Sequence, residues 1–164
     1  MGGTCLTYGC CLKTCTVVAC IYVLLLQGIG DIADNIQKFM DPEELPPGVG
    51  PPIQITGTFL AIVLVVLASA GLVSVVRQDP QLARLFYLGY VVAGGLNLVL
   101  GAITLTCIQN SGDPKARNTV KELLPIVFGF FYPTTFLVMA CAKLHSDALQ
   151  GMSTTETSAT LLAE

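Results

Sequence analysis

Apolar residues fall into four long blocks, and polar segments between and beyond the blocks carry all the charged side chains. A bilayer core about 30 Å thick is crossed by about 20 apolar residues in an α-helix. The second to fourth blocks reach that length directly, and the first reaches it if its helix continues past Gly30. The pattern predicts four transmembrane helices, at about 14–36, 57–76, 85–108 and 123–143.

Composition supports a membrane protein, because the 164 residues are 53% hydrophobic and 12% charged. Soluble domains average about 25% charged residues, and a soluble chain of this size cannot bury so much apolar surface. We predict an all-α integral membrane four-helix bundle with short loops. It would comprise a cysteine-rich juxtamembrane segment at 1–13, a four-helix domain at 14–144 and a polar flexible tail at 145–164.

The connections between the blocks are polar and contain Pro and Gly. The first, "DPEELPPGVGPPIQIT", carries five prolines, which predict an extended loop because proline cannot donate a backbone hydrogen bond. The short "RQDPQLAR" predicts that the second and third helices are antiparallel neighbours. In the third connection, "SGDP" predicts a turn.

Both termini are predicted on the same side of the membrane, because the number of spans is even. Four Lys or Arg residues flank the helices on each side, so the positive-inside rule does not choose an orientation. Residues 1–30 lack the basic start and the cleavage site of a signal peptide, which favours a retained first helix. We predict cytoplasmic termini from the cysteines described next.

Four cysteines crowd into "CLTYGCCLKTC" immediately before the first block. Juxtamembrane cysteines on the cytoplasmic side are the usual acceptors of palmitate, which makes Cys5, Cys10, Cys11 and Cys15 candidate lipidation sites. Disulfides within the run are the alternative if it faces an oxidising space. A structural zinc site needs paired short spacings, and the run has no partner cluster, so we predict no metal.

Polar residues near the end of the first block recur at helical spacing. Gln27, Asp31, Asp34 and Lys38 would share one face of a continuous helix, with Asp34 and Lys38 as an i,i+4 ion pair. Ionisable groups inside membrane spans often mark paths for ions or solutes. The alternative is that the acids leave the bilayer here, since Gly28 and Gly30 suggest that the apolar span is ending.

The third and fourth blocks add further polar or irregular positions. Ala93, Asn97 and Gly101 recur every four residues, a pattern typical of close helix packing with an amide hydrogen bond across the contact. Contact of Asn97 with a solute is the alternative. Pro133 frees a carbonyl within the fourth helix, as in the broken helices that line some transporter sites.

The layout resembles the small four-span proteins of the tetraspanin and MARVEL type. The features that carry the resemblance are "CCLKTC" before the first helix, the short connections, and both termini on one side. A tetraspanin has a large outer domain with a CCG motif after the third span, whereas "QNSGDPKARNTVKE" contains no cysteine. The resemblance implies a membrane-organising or trafficking role and no specific functional residue.

Function is predicted from these features together. The chain lacks the common hydrolase, zinc-protease and nucleotide-binding motifs, and its net charge of −3 disfavours nucleic acid. We predict a non-enzymatic membrane organiser, trafficking factor or accessory subunit without a cofactor, with the bilayer and other membrane proteins or its own copies as partners. The alternative is a small transporter or channel subunit with a polar path near Asp31, Asp34 and Asn97.

Overall fold

The computed structural model describes residues 3–40, 49–112 and 114–161, with most of their side chains. This part of the chain is helical apart from short connections and contains no strand, which confirms the predicted all-α fold. Four helices are long and apolar enough to cross a membrane, the topology of a multi-pass integral membrane protein. They cover Cys10–Lys38, Pro51–Arg77, Pro80–Asn110 and Val120–Met152.

The first and fourth spans are composite helices, while the second and third are each one α-helix. The first span joins α1 (Gly3–Tyr22), a first π segment (Val23–Gly30) and α2 (Asp31–Met40). The second and third spans are α3 (Pro51–Arg77) and α4 (Pro80–Asn110). The fourth joins α5 (Pro114–Ile126), a second π segment (Val127–Phe131) and α6 (Tyr132–Leu161).

The second π segment ends at Phe131, two residues before Pro133. Proline has no backbone N–H, so it interrupts the hydrogen-bond ladder of an α-helix. Here the N–H of Tyr132 donates to the carbonyl of Val127, five residues earlier. The wider turn keeps the helix continuous at the place where the proline removes a donor.

The connection between α3 and α4 is two residues long, which confirms that these helices are antiparallel neighbours. Gln78 adopts a left-handed conformation with φ 55°, which ends α3. Asp79 then caps α4, because its carboxylate accepts hydrogen bonds from the backbone N–H of Gln81 at 2.8 Å and of Leu82 at 3.3 Å.

The helices of all four spans extend beyond the predicted boundaries. α1 begins at Gly3, inside the predicted juxtamembrane segment, and α4 begins at Pro80, before the predicted start at 85. Pro51 and Pro52 form the first turn of α3, where the fixed φ of proline suits a helix, although we predicted an extended loop there. α5 begins at Pro114, inside the predicted third connection. α6 continues to Leu161, so much of the predicted flexible tail is helical, and no proline follows Pro133 to end it. Residues 41–48 of the predicted first loop lie outside the described residues.

The four spans pack in a ring in chain order. The first packs on α3, α3 on α4, and α4 on the fourth span, while α1 closes the ring against α6. We call the half of the bundle near the α3–α4 connection the terminal-side half and the other the loop-side half. The main core belongs to the terminal-side half and its boundary, and includes Cys20, Val23, Leu64, Phe86, Tyr90 and Val138.

Large apolar side chains also cover the outside of the bundle. Phe59, Val66, Val92 and Leu137 are each more than 60% exposed. In water such a surface would be strongly unfavourable, whereas hydrocarbon solvates it well. The exposed apolar face therefore agrees with four spans surrounded by lipid.

Candidate functional site

Two adjacent cavities occupy the loop-side half of the bundle. The outer cavity has a volume of about 360 Å³ and lies between the loop-side parts of all four spans. The inner cavity, of about 230 Å³, lies deeper, toward the middle of the bundle. Both are lined by Asp31, Asn97, Gly101 and Val127, so the two cavities are adjacent and share a wall.

A buried hydrogen-bond chain closes the deep end of the inner cavity. The hydroxyl of Tyr90 donates to Gln27 Oε1 at 2.8 Å, and Gln27 Nε2 donates to Thr135 Oγ1 at 3.4 Å. Thr135 in turn donates to the backbone carbonyl of Phe131 at 2.9 Å. These hydrogen bonds link the third, first and fourth spans. They also pair polar groups that would be unfavourable in hydrocarbon without a partner.

Asp31 is positioned by the first π segment. It follows Gln27 by four residues, about one helical turn, and it begins α2 directly after the π segment ends at Gly30. The helix continues through Gly28 and Gly30 into α2. Asp31 is half-buried and borders both cavities.

The first span packs closely on α3 beside the cavities, at Gly28. A Cβ atom added to Gly28 would lie 2.5 Å from Val65 Cγ2 and 3.6 Å from the carbonyl oxygen of Ala61. Only a residue without a side chain fits so near the neighbouring helix. This close approach holds the π segment, and with it Gln27 and Asp31, against the second span.

The mouth of the outer cavity carries a predicted ion pair. Lys38 Nζ contacts Asp34 Oδ2, four residues earlier, as the spacing predicted. Both residues line the outer cavity together with Asn35. Because Asp34 and Lys38 neutralise each other, Asp31 is the remaining unpaired charge among the described lining residues.

Gln54 is a lining residue of the outer cavity that the sequence did not single out. Its side chain is 5% exposed, and its amide nitrogen has no hydrogen-bond partner among the described residues. A buried amide without a partner costs about 1–3 kcal/mol of stability. Gln54 is thus an unused donor beside an acidic cavity.

The candidate positions in the third and fourth spans separate in the structure. Asn97 and Gly101 line both cavities, whereas Ala93 is buried in the main core. A Cβ atom at Gly101 would meet no atom within 4 Å, so Gly101 does not serve the close helix packing that its spacing predicted. Pro133 is exposed and lines neither cavity.

The candidate lipidation sites lie at the other end of the first span. Cys10, Cys11 and Cys15 are exposed and carry free thiols, while the backbone of Cys5 is helical and its side chain lies outside the described residues. Cys20 is fully buried in the core. The exposed thiols and the cavities therefore occupy opposite halves of the bundle.

Sequence reasoning missed Gln54, Tyr90 and Thr135. Each is the partner or neighbour of a residue from another span, and contacts between spans leave no trace in local spacing. Gln54 has a weak signal, since it is an amide four residues into a proline-initiated apolar helix. Tyr90 and Thr135 have none, because tyrosine and threonine are common in membrane helices.

Comparisons with protein-family models, with curated proteins and with solved structures give no match to this chain.

Proposed function

We propose that this chain is a small membrane transporter or channel subunit that takes a polar solute into these two cavities. The single observation that carries the proposal is the convergence of Asp31 and Asn97, from the first and third spans, on both cavities. Polar and ionisable residues inside membrane spans are rare and usually mark solute or ion pathways. This convergence favours the transporter alternative over the organising role.

The placement of the π segments supports the same proposal. Gln27 of the first segment and Val127 and Phe131 of the second all line the inner cavity. π turns inside α-helices occur frequently at functional sites, because the wider turn redirects side chains and loosens the ladder locally. The cavities end at the packed core, so passage through the bundle requires a conformational change near these segments.

Flux measurements on purified protein in liposomes test the proposal. Radiolabelled ethanolamine, urea and acetate supply one cationic, one neutral and one anionic solute. We expect uptake of at least one of them above that of protein-free vesicles, and loss of that uptake in Asn97→Leu. Val99→Leu is the matched control, because Val99 is two residues away and 56% exposed on the outer face.

The proposal is overturned if no solute enters faster than in protein-free vesicles, or if Asn97→Leu and Val99→Leu behave alike. In that event the membrane-organising or trafficking role would be the surviving prediction. Crosslinking in native membranes that recovers one stoichiometric partner would then support an accessory subunit.

A second proposal concerns the exposed thiols and the orientation of the chain. We infer that one or more of Cys10, Cys11 and Cys15 carry palmitate and that the termini are cytoplasmic. The supporting observation is that all three thiols are exposed near the start of the first span. Each buried methylene of an acyl chain adds about 0.8 kcal/mol of membrane affinity.

Acyl-exchange labelling tests this second proposal. We expect thioester-linked lipid on the full chain and its loss when positions 5, 10, 11 and 15 are changed to serine together. Cys107→Ser is the control, because Cys107 lies near the loop-side end of α4 and should leave the signal intact. Absence of thioester-linked lipid, or loss of the signal in Cys107→Ser, would contradict the inference.

A further inference from the structure

We propose that the cavities bind a protonated amine that carries a hydrogen-bond acceptor a few atoms from its nitrogen. The inference rests on the proposed function and names the class of solute. Asp31 would pair with the ammonium group, and Gln54 would donate to the acceptor. Two independent features support it, the charge of the cavity and its unused donor.

The first feature is the unpaired charge. Among the described lining residues the charged side chains are Asp31, Asp34 and Lys38, and Asp34 and Lys38 form an ion pair. Asp31 therefore gives the cavity a net negative charge. A carboxylate in a low-dielectric site attracts a cation strongly and disfavours an anion. The side-chain oxygen of Asn97, on the shared wall, is a further acceptor for an ammonium proton.

The second feature is the donor without a partner. Gln54 is 95% buried, since its exposed fraction is 5%, yet its amide nitrogen makes no hydrogen bond within the described part of the chain. A bare metal cation offers no acceptor to such a nitrogen. A hydroxyl, carbonyl or phosphate oxygen on the same molecule as the ammonium would satisfy it.

The packing of the spans allows the amine to reach the outer cavity from two sources. In the loop-side half the first span packs on α3, and the fourth packs on α4 through α5. The outer cavity lies between them, with Leu123 and Val127 across from α2. An amine can therefore arrive from water at the loop side or as the headgroup of an aminolipid between the first and fourth spans.

Calorimetry on the full chain in detergent tests the aqueous source, with ethanolamine as the probe. Ethylammonium lacks the acceptor and ethylene glycol lacks the charge, so both should bind more weakly. We expect Asp31→Asn to weaken ethanolamine binding by about 10- to 100-fold, the range for a hydrogen bond to a charged group. Asp147→Asn is the control, because Asp147 is exposed on α6 in the terminal-side half.

Gln54→Leu separates this inference from a general preference for cations. It should weaken ethanolamine binding about 2- to 10-fold and leave ethylammonium binding unchanged. Circular dichroism of each variant shows whether the fold is retained. Equal losses for both probes, or tighter binding of ethylene glycol than of ethanolamine, would overturn the inference.

Nanodiscs test the membrane source. Native mass spectrometry should recover phosphatidylethanolamine bound to the wild-type chain, and not phosphatidylcholine, whose quaternary nitrogen has no proton to donate. Asp31→Asn should abolish that retention, while Asp147→Asn should keep it. The inference fails if neither ethanolamine nor phosphatidylethanolamine binds. If uptake of urea or acetate still depended on Asn97, the proposed transport function would be retained and only the amine as its solute would be rejected.

Discussion

The terminal-side and loop-side halves of the bundle are built from the same four spans and pack differently. In the terminal-side half, Phe86, Leu64 and Cys20 are fully buried and side chains from all four spans meet. In the loop-side half, two cavities separate the spans and polar residues line them. One end of the bundle is thus a closed support, and the other holds a space for a solute.

The buried polar groups of the described residues differ in whether they have partners. Ser74 and His145 in the terminal-side half are buried together, with Ser74 Oγ 3.4 Å from His145 Nε2. Ser74 also donates to the backbone carbonyl of Gly71 at 2.7 Å, so both buried side chains have partners. The amide nitrogen of Gln54, in the loop-side half, and the hydroxyl of Tyr22, beside the main core, have no partner among the described residues. Satisfied polar groups stabilise a fold, whereas unsatisfied ones leave capacity for a ligand.

Removing a large core side chain should give the largest difference in unfolding free energy between the two halves. Phe86→Ala is expected to lower the free energy of unfolding by about 2–4 kcal/mol. Most of this loss would come from the cavity that the substitution leaves, because lipid solvates an apolar side chain nearly as well as the core does. Leu105→Ala, which enlarges an existing cavity, should cost under about 1 kcal/mol. Unfolding in mixed detergent micelles measures both, and equal losses would contradict the difference between the halves.

Adding a methyl group should destabilise the packed terminal-side half and have little effect beside the cavities. A Cβ atom at Gly71 would lie 2.7 Å from Cys20 Sγ and 2.9 Å from Phe86 Cγ. Gly71→Ala is therefore expected to cost about 1–3 kcal/mol by overpacking. At Gly101 the added atom meets nothing within 4 Å, so Gly101→Ala should stay within about 0.5 kcal/mol of the wild type. The same unfolding assay measures both variants. A large loss of unfolding free energy in Gly101→Ala would show that there is no open space beside Gly101.

Single polar substitutions should produce smaller and opposite shifts. Tyr90→Phe removes the donor to Gln27 Oε1 and should cost about 0.5–2 kcal/mol, the range for a hydrogen bond between membrane helices. Gln54→Leu removes an amide nitrogen without a partner and should be neutral or stabilising. Thermal unfolding monitored by circular dichroism compares them. A more destabilising Gln54→Leu would contradict the assignment of Gln54 as an unused donor.

The smallest effect is expected at the mouth of the outer cavity. Lys38 and Asp34 are 28% and 60% exposed, and exposed i,i+4 pairs contribute only about 0.3–0.5 kcal/mol. Lys38→Met should therefore change the free energy of unfolding by less than about 0.5 kcal/mol. A loss of several times that size in chemical denaturation would mean that the ion pair supports the fold.

Hydrophobic length and spacing predicted much of this architecture. The four spans follow from blocks of about 20 apolar residues, and the shared face of Gln27, Asp31, Asp34 and Lys38 follows from their helical spacing. The π segments did not follow, because a change from i→i−4 to i→i−5 bonding has no clear signal in composition. The helical boundaries at Pro51 and Pro114 also differed, since proline is compatible with a first helical turn as well as with a loop.

The site was predictable only where its residues lie on one helix. Asp31 and Asn97 were each identified from polarity within an apolar block, and the structure places both on the same cavity wall. Tyr90, Thr135 and Gln54 depend on how separate spans are rotated against one another. That rotation is determined by packing, for example at Gly28 against Val65, and not by any single segment.

Water accessibility along α4 tests the central claim most directly. Asn97→Cys, Ala93→Cys and Val99→Cys are compared in a background where serine replaces every native cysteine except the buried Cys20, that is, at positions 5, 10, 11, 15, 107 and 141. The reagent is a charged, membrane-impermeant methanethiosulfonate, which requires a water-accessible thiolate. The account predicts modification of Asn97→Cys from the loop side, faster with the trimethylammonium reagent than with the sulfonate. Ala93→Cys in the core and Val99→Cys on the lipid face should stay unmodified. An inert Asn97→Cys, or equal rates at all three positions, would contradict a water-connected cavity in the loop-side half.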